Sequence, residues 1–329
     1  MKITTLIERS VNMLIAHLKH SCFVIIFLAF NVSSEPVTVG ISVWSGYPSS
    51  VAGFKSSLKD AGFIENETVK YLYRNAGADK EKQQDIAKEF TEKKVDLVYS
   101  LTTSGTILIK EYMPPTTPIV FSVVTYPADS GLIESFDYSG NNLVGTSNFV
   151  PLQNYVKLLK TVLPNAKKIA IFHREGEPNS KIQTVNLIRL FKRVGINAIN
   201  VAAVTLDDVE RKAVKLAREV DAFVTTTDTL MQGGGELRLI AVSKRTKTPI
   251  LSSNKQGVID GSTFGSVADL NTLGKMSGEM AVKILHGEAV PAGLQSKIQD
   301  SPLVLVNRNS LQLIGLTLPD ALKNYSYVD

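Results

Sequence analysis

Cysteine occurs once in 329 residues, at Cys22. The chain therefore forms no internal disulfide, and beyond that position it holds no thiolate nucleophile and no cysteine metal site. Histidine is nearly as scarce, at His17, His20, His173 and His286, and none joins an Asp/Glu cluster at metal-ligand spacing. Also missing are a Gly-x-Ser-x-Gly elbow, a Gly-x-Gly-x-x-Gly turn after a strand and a Gly-Lys-Ser/Thr phosphate loop. No carboxylate pair or nucleophile with an adjacent base can be argued, so the sequence offers no catalytic agent and calls for no metal or cofactor. Clustered positive charge is absent too. The net charge is +5, but basic residues such as Lys157, Lys160, Lys167 and Lys168 are scattered among acids, which argues against nucleic acid as a partner.

Long apolar runs are lacking as well. The strongest, Cys22 to Phe30, is nine residues, far short of the ~20 that span a bilayer. It follows Lys2, Arg9 and Lys19 and precedes small residues at Val32 and Ser34. Residues 1–34 therefore read as an export signal cleaved near Ser34, with retention as a membrane anchor the alternative. Cys22 opens this run, whereas a lipidated cysteine would follow it. The remaining chain is expected in the periplasm or another extracytoplasmic space. Its 44% hydrophobic and 20% charged residues are ordinary for a globular protein, and its length suits two domains.

What is present is one plan used twice. Leu58 to Phe63 ends a helix on Gly62, and the strand-like Thr68 to Tyr73, a polar helix and a buried strand opened by Asp96 follow. Phe191 to Ile196 repeats the step at Gly195, and Asn197 to Val204, a helix and a buried strand opened by Asp221 follow. Six residues after each aspartate, at Thr102 and Thr227, the strand gives way to a hydroxyl-rich turn. Strands and helices alternate throughout, which predicts two α/β, Rossmann-like lobes with parallel sheets and right-handed crossovers. The expected lobes are 35–148 with about 258–290, and 149–257 with about 291–329. Helices are expected over 104–112, 207–219 and 234–244, the second capped by Leu206-Asp207-Asp208.

Open α/β sheets bind ligands beyond the carboxyl ends of their strands, so the residues at those ends are the candidate site. Thr102, Thr103 and Ser104 lie between a strand and a helix. Their hydroxyls and the free N–H groups of the helix start suit a carboxylate or other anion, though one hydroxyl would serve as a simple cap. Thr227 and Asp228 hold the matching place in the second lobe, where the carboxylate suits either a ligand cation or the cap of the next helix. Thr125 and Tyr126 follow another strand, and Trp44 and Ser45 follow the first. An indole in a loop is suited to a cleft wall, core packing being the alternative. Asn179 opens a second-lobe helix as cap or contact. His173 ends a strand, His286 stands at a helix C-terminus, and Gly233 to Gly235 reads as a flexible helix start.

These residues resemble a known family. Val39-Gly-Ile41, Tyr73-Arg-Asn75, Pro118-Ile-Val-Phe121, Asn141-Asn-Leu-Val-Gly145, Glu177-Pro-Asn-Ser180, Thr227-Asp228 and Leu285-His-Gly287, in this order, resemble ABC-transporter substrate-binding proteins of the type I periplasmic binding fold. The group associated with uptake of tryptophan and related amino acids is the most similar, from Val37 to Pro319. The resemblance implies two lobes joined by a hinge that close on a small ligand, without enzymatic activity. Thr102 to Ser104 and Thr125 would hold a carboxylate, Asp228 an ammonium, and Trp44 would shield the cleft. It also implies permease and ATPase subunits in the membrane as partners of a monomer, a membrane signalling partner being the alternative. The family often has Thr-Asp-Pro where this chain has Thr125-Tyr126-Pro127, which removes a carboxylate and adds a phenol.

Overall fold

The two aspartates flagged by the repeat do the same work in each lobe. Asp96 accepts a hydrogen bond from the Thr38 N–H at 2.7 Å, and Asp221 accepts from the Lys167 and Lys168 N–H groups at 2.7 and 2.8 Å. Each carboxylate thus ties the start of one buried strand to the start of its neighbour. The structure is a computed structural model describing residues 35–317, 320–322 and 326–329. The expected export signal lies outside the described residues.

The first lobe begins with β1 (Val37–Val43), α1 (Pro48–Asp60), β2 (Val69–Asn75), α2 (Lys80–Glu92), β3 (Leu97–Leu101), α3 (Thr103–Tyr112), β4 (Ile119–Ser122) and β5 (Leu143–Ser147). The chain then builds α4 (Leu152–Val162), β6 (Lys168–Arg174), α5 (Pro178–Arg193), β7 (Asn197–Ala203), α6 (Leu206–Leu216) and β8 (Ala222–Thr225). A wide turn at Met231–Gly235 leads into α7 (Glu236–Thr246), β9 (Ile250–Ser252), α8 (Lys255–Asp260) and β10 (Phe264–Val267). It returns to the first lobe with α9 (Leu270–Leu285) and β11 (Lys297–Ile298), and ends in the second with β12 (Leu303–Asn307), α10 (Arg308–Ile314) and β13 (Ser326–Val328).

The first sheet runs β11-β5-β4-β3-β1-β2 and is parallel throughout. The second runs β13-β12-β10-β9-β8-β6-β7, with β12 antiparallel to β10. Apolar side chains on both faces fill the cores, among them Phe54, Leu58 and Tyr99 in one lobe and Phe191, Phe223 and Phe264 in the other. In each lobe the strand order reverses beside the first strand, between β1 and β3 and between β6 and β8. Such reversals splay the following helices to opposite faces and leave a crevice at the strand ends.

Several boundaries differ from those the sequence suggests. The crossing expected near residue 258 comes after Val267, because β10 pairs with β9 through Phe264 and Leu251. The crossing expected near 291 comes after Ile298, because β11 adds to β5 through Lys297 and Thr146. The cap of α6 is Thr205, whose hydroxyl accepts from the Asp208 N–H, and the two aspartates lie inside the first turn. α7 starts at Glu236 rather than Gly234, because Gly234 takes a φ of 118° that no helix accommodates.

Helix α9 seats the returning chain against the first lobe. A Cβ on Gly274 would lie 2.0 Å from the Ser50 carbonyl oxygen, and one on Gly53 would lie 2.1 Å from that of Asn271. Only glycine lets α1 and α9 come this close, and that contact fixes the frame from which the hinge segments leave.

Candidate ligand-binding cleft

The ends of β1, β3 and β4 carry unusual backbone. Tyr47, Thr102 and Val123 have φ of 64°, 74° and 58° without being glycine. Such conformations cost about 1–3 kcal/mol each and persist where the surrounding structure holds a site in place. Here they aim the residues that follow three neighbouring strands at the second lobe. Thr102 caps α3, accepting from the Gly105 N–H at 3.3 Å, which leaves Thr103 and Ser104 on the open first turn. Gly105 is required because a Cβ there would stand 2.9 Å from the Trp44 Cβ.

The second lobe answers with carboxylates and amides. The Thr227 N–H and hydroxyl both donate to Gln183 Oε1 at 2.9 Å, and Asn179 Nδ2 donates to the Thr227 carbonyl at 2.7 Å. The lobes meet directly where the hydroxyls of Thr125 and Thr227 lie 3.0 Å apart. Thr125 also reaches Asn148 Oδ1, in the hinge segment, at 3.0 Å. On either side of this seam is a cavity. The larger, about 410 Å³, is lined by Ser45, Tyr47, Asn148, Glu236 and Asn254, with Met231, Ile240 and Leu270 as apolar wall. The smaller, about 380 Å³, is lined by Trp44, Ser104, Lys80, Arg174 and Glu177.

Of the ten residues singled out by sequence, Ser45 lines the larger cavity, Trp44 and Ser104 line the smaller, and Thr125 and Thr227 touch across the lobes. Trp44 Nε1, Thr103 Oγ1 and the Tyr126 hydroxyl are buried and have no partner among the described residues. A buried polar group left unpaired is costly, and Tyr71, Gln83, Ser130, Thr184 and Ser266 share this state elsewhere in the fold. Trp44 also packs on Leu72, Ile86 and Val98, so it serves both core and cleft.

Asp228 is different. It is fully buried, its Oδ1 accepts from the Met231 N–H at 2.8 Å, and its Oδ2 accepts from the Arg174 N–H at 3.0 Å and the Thr226 hydroxyl at 2.5 Å. These contacts are those of a cap. Asn179 bonds the Thr227 carbonyl, and Glu177 takes the N-cap position of α5. His173 is tied to Asn200 Oδ1 at 2.6 Å and to the Arg174 carbonyl at 3.0 Å, within its own lobe. His286 stacks on Phe63 at the end of α9.

Sequence reasoning missed Tyr47, Asn148, Glu177, Gln183 and Glu236. A signal existed for Gln183: Asn179, Ser180, Gln183 and Thr184 form a polar stripe at helical spacing, and all four are buried on α5. Glu177, Asp228 and Glu236 are all pushed above the ordinary carboxylate range, chiefly by burial. The Tyr47 phenol is raised as well, by burial and then by the negative charges of Glu177 and Asp228 across the cleft. Among the described residues, no group of three or more His, Cys, Asp or Glu is arranged to hold a metal ion.

A two-lobed α/β frame with strand-order reversals facing each other is the type I periplasmic binding protein architecture. The chain belongs to the ABC transporter substrate binding protein family, whose model matches residues 37–327. Proteins of this family bind small molecules for ABC transporters outside the cytoplasm. It is 28% identical over 287 residues to a protein named Tyrosine-binding protein from Clostridioides difficile (strain R20291), covering 86% of this chain and 82% of that one. Among solved structures it is similar to an ABC domain from Streptococcus pneumonia in complex with L-Trp, with 24% identity and a TM-score of 0.84 over 89% of this chain and 100% of that one. A ligand-free, open substrate binding protein from Clostridium difficile matches with 27% identity and a TM-score of 0.69 over 89% of this chain and 99% of the other.

Proposed function

We propose that this chain is the exported solute receptor of an ABC import system. It captures a small, polar, amino-acid-like solute between its lobes and presents the closed form to permease and ATPase subunits in the membrane, acting as a monomer and without catalysis. The observation that carries this reading is the opposition of two unlike walls. The first-lobe wall at the strand ends carries no carboxylate and is rich in donors: Trp44, Ser45, Thr103, Ser104, Thr125 and Tyr126, beside the N-terminus of α3, with Lys80 in the lining of the smaller cavity. The second-lobe wall holds two buried carboxylates, Glu177 in the smaller cavity and Glu236 in the larger, with the capping Asp228 behind them. A zwitterion placed between them meets donors at its carboxylate and negative charge at its ammonium. The names of the similar proteins, one for tyrosine and one complexed with tryptophan, support the same class. The direct contact between Thr125 and Thr227 supports a closed arrangement.

The test is a thermal-shift screen of the purified full-length protein, unfolded and refolded to strip any carried-over solute. Amino acids, nucleosides, sugars and small carboxylates form the panel. A ligand at 100 times its dissociation constant adds about 2.7 kcal/mol. A selective rise with amino acids, diminished in Thr103→Val, is the expected result. A cooperatively folding sample that no solute in the panel shifts would overturn the receptor reading for this class and favour a sensing role with a different ligand.

A further inference from the structure

Buried carboxylates in folded proteins are paired with a cation or a metal, because an isolated buried charge is strongly disfavoured. Glu177 follows this rule through Arg174 Nε at 3.6 Å, and Asp228 is satisfied by two backbone N–H groups. Glu236 does not. It is 3% exposed and takes part in no ion pair among the described residues. Its Oε1 accepts from the Ser262 hydroxyl at 2.6 Å and its Oε2 from Asn254 Nδ2 at 2.8 Å, both neutral donors. The Ser252 hydroxyl is a further neutral donor to it, so the carboxyl is hydrogen-bonded by neutral groups but has no positive charge beside it. Lys255, the cation in the same cavity lining, is committed to Asp269.

Glu236 lines the 410 Å³ cavity, facing the loop of Ser45 to Ser49 that the first lobe contributes. Its position is built into the fold. A Cβ on Gly257 would lie 2.1–2.3 Å from the carboxyl atoms of Glu236, so the glycine holds open the space the carboxylate fills. The turn Met231–Gly235 sets α7 so that Glu236 is its first residue.

We propose that the larger cavity receives a cationic group of the solute, a primary ammonium or a guanidinium, and that Glu236 is its counter-ion. This rests on the solute-receptor reading and adds that the captured molecule carries a positive group not cancelled within its own contact surface. The apolar wall of Met231, Ile240 and Leu270 then packs the carbon skeleton that bears the charge. Glu236, not Asp228, is the carboxylate that decides whether an amine enters.

The experiment compares purified full-length wild type with Glu236→Gln and Gly257→Ala by isothermal titration. The probes are L-tyrosine, L-tryptophan, L-arginine, tyramine, agmatine and 3-(4-hydroxyphenyl)propionate, which lacks the amine, together with neutral sugars. Glu236→Gln keeps the volume and an acceptor for Ser262, and a cooperative melt establishes that it folds. The expected result is that only amine- or guanidine-bearing probes bind, and that Glu236→Gln weakens them on the order of 30-fold or more. Gly257→Ala, which displaces the carboxylate without removing it, should weaken the same probes. Equal affinity for amine-bearing probes in wild type and Glu236→Gln would overturn the assignment and leave the receptor reading intact. So would tight binding of the deaminated acid or a sugar. Absence of binding by every probe to folded wild type would overturn both.

Discussion

Replacing Thr227 by valine removes the hydroxyl that touches Thr125 across the cleft while keeping the branched shape. The bond is between neutral hydroxyls at 3.0 Å, both buried. Such a bond is worth about 1 kcal/mol net, roughly a fivefold change in the closed-to-open ratio. Each hydroxyl carries one proton, so the bridge forms as Thr125 turns its proton from Asn148, or Thr227 its proton from Gln183, and about 1 kcal/mol is its upper bound. The absence of cysteine after Cys22 makes the assay direct: single cysteines at the exposed positions Asp60 and Arg193 label one lobe each. Distance distributions by pulsed electron resonance in ligand-free protein then report the populations. Thr227→Val and Thr125→Val should each shift the ratio by up to about fivefold toward open, and the double variant should shift it no further. Ligand affinity falls with the closed fraction. Unchanged populations in the single variants, or a double variant that sums the two effects, would refute the idea that this bond bridges the lobes.

Gly274→Ala should lower stability although alanine favours helix by about 1 kcal/mol. The added methyl meets the Ser50 carbonyl at 2.0 Å, and forcing two backbones apart costs about 1–3 kcal/mol or more; a rise in the urea midpoint would contradict it. Asp228→Ala should destabilise the ligand-free protein by about 1–3 kcal/mol, because it strands the N–H groups of Arg174 and Met231. A variant with lost affinity and unchanged melting would instead make Asp228 a ligand contact. In the ligand-free protein, Glu236 holds its proton more tightly folded than unfolded, since burial raises it. That stability is full below the ordinary carboxylate range and is lost as pH rises through the folded value. Urea unfolding from pH 4 to 8 should therefore show Glu236→Gln gaining on wild type as pH rises, and a gap independent of pH would exclude an unpaired buried carboxylate.

The repeated plan was legible because it is written in local signals: glycines ending helices, apolar strand runs, and an aspartate before a buried strand. Hence Asp96 and Asp221 point to equivalent places before any partner is known. Lobe membership near the hinge was not legible. Phe264-Gly-Ser-Val267 is a short run with no strong strand signal, and only its pairing with Ile250–Ser252 assigns it. Trp44 and Ser104 were legible as strand-end residues from their place between strand and helix, and both line the smaller cavity, Trp44 being also part of the core. Glu236 was not, because a glutamate in the first turn of a helix is ordinary dipole chemistry, and its burial depends on Gly257 and Ser262, distant in sequence.

Asp228 and Glu236 show why residue type alone could not sort the cleft. Both are acidic, both are buried, and both are raised by that burial. Asp228 has its two oxygens engaged by backbone N–H groups that would otherwise be stranded, so its charge is part of the frame. Glu236 is held by neutral side chains alone, Ser252, Ser262 and Asn254, and lines a cavity to which the opposite lobe also contributes. An anion satisfied by the backbone gains little from a cation. An anion held by neutral donors beside a cavity gains a great deal, and that difference turns a two-lobed frame into a receptor with a preference. Closing the first-lobe loop over Glu236 without a cation would leave a buried charge unpaired. Burial without a cation favours the protonated acid, whereas closing with one stabilises the carboxylate and the closed form together. Selection of solute and closure of the lobes are then one event.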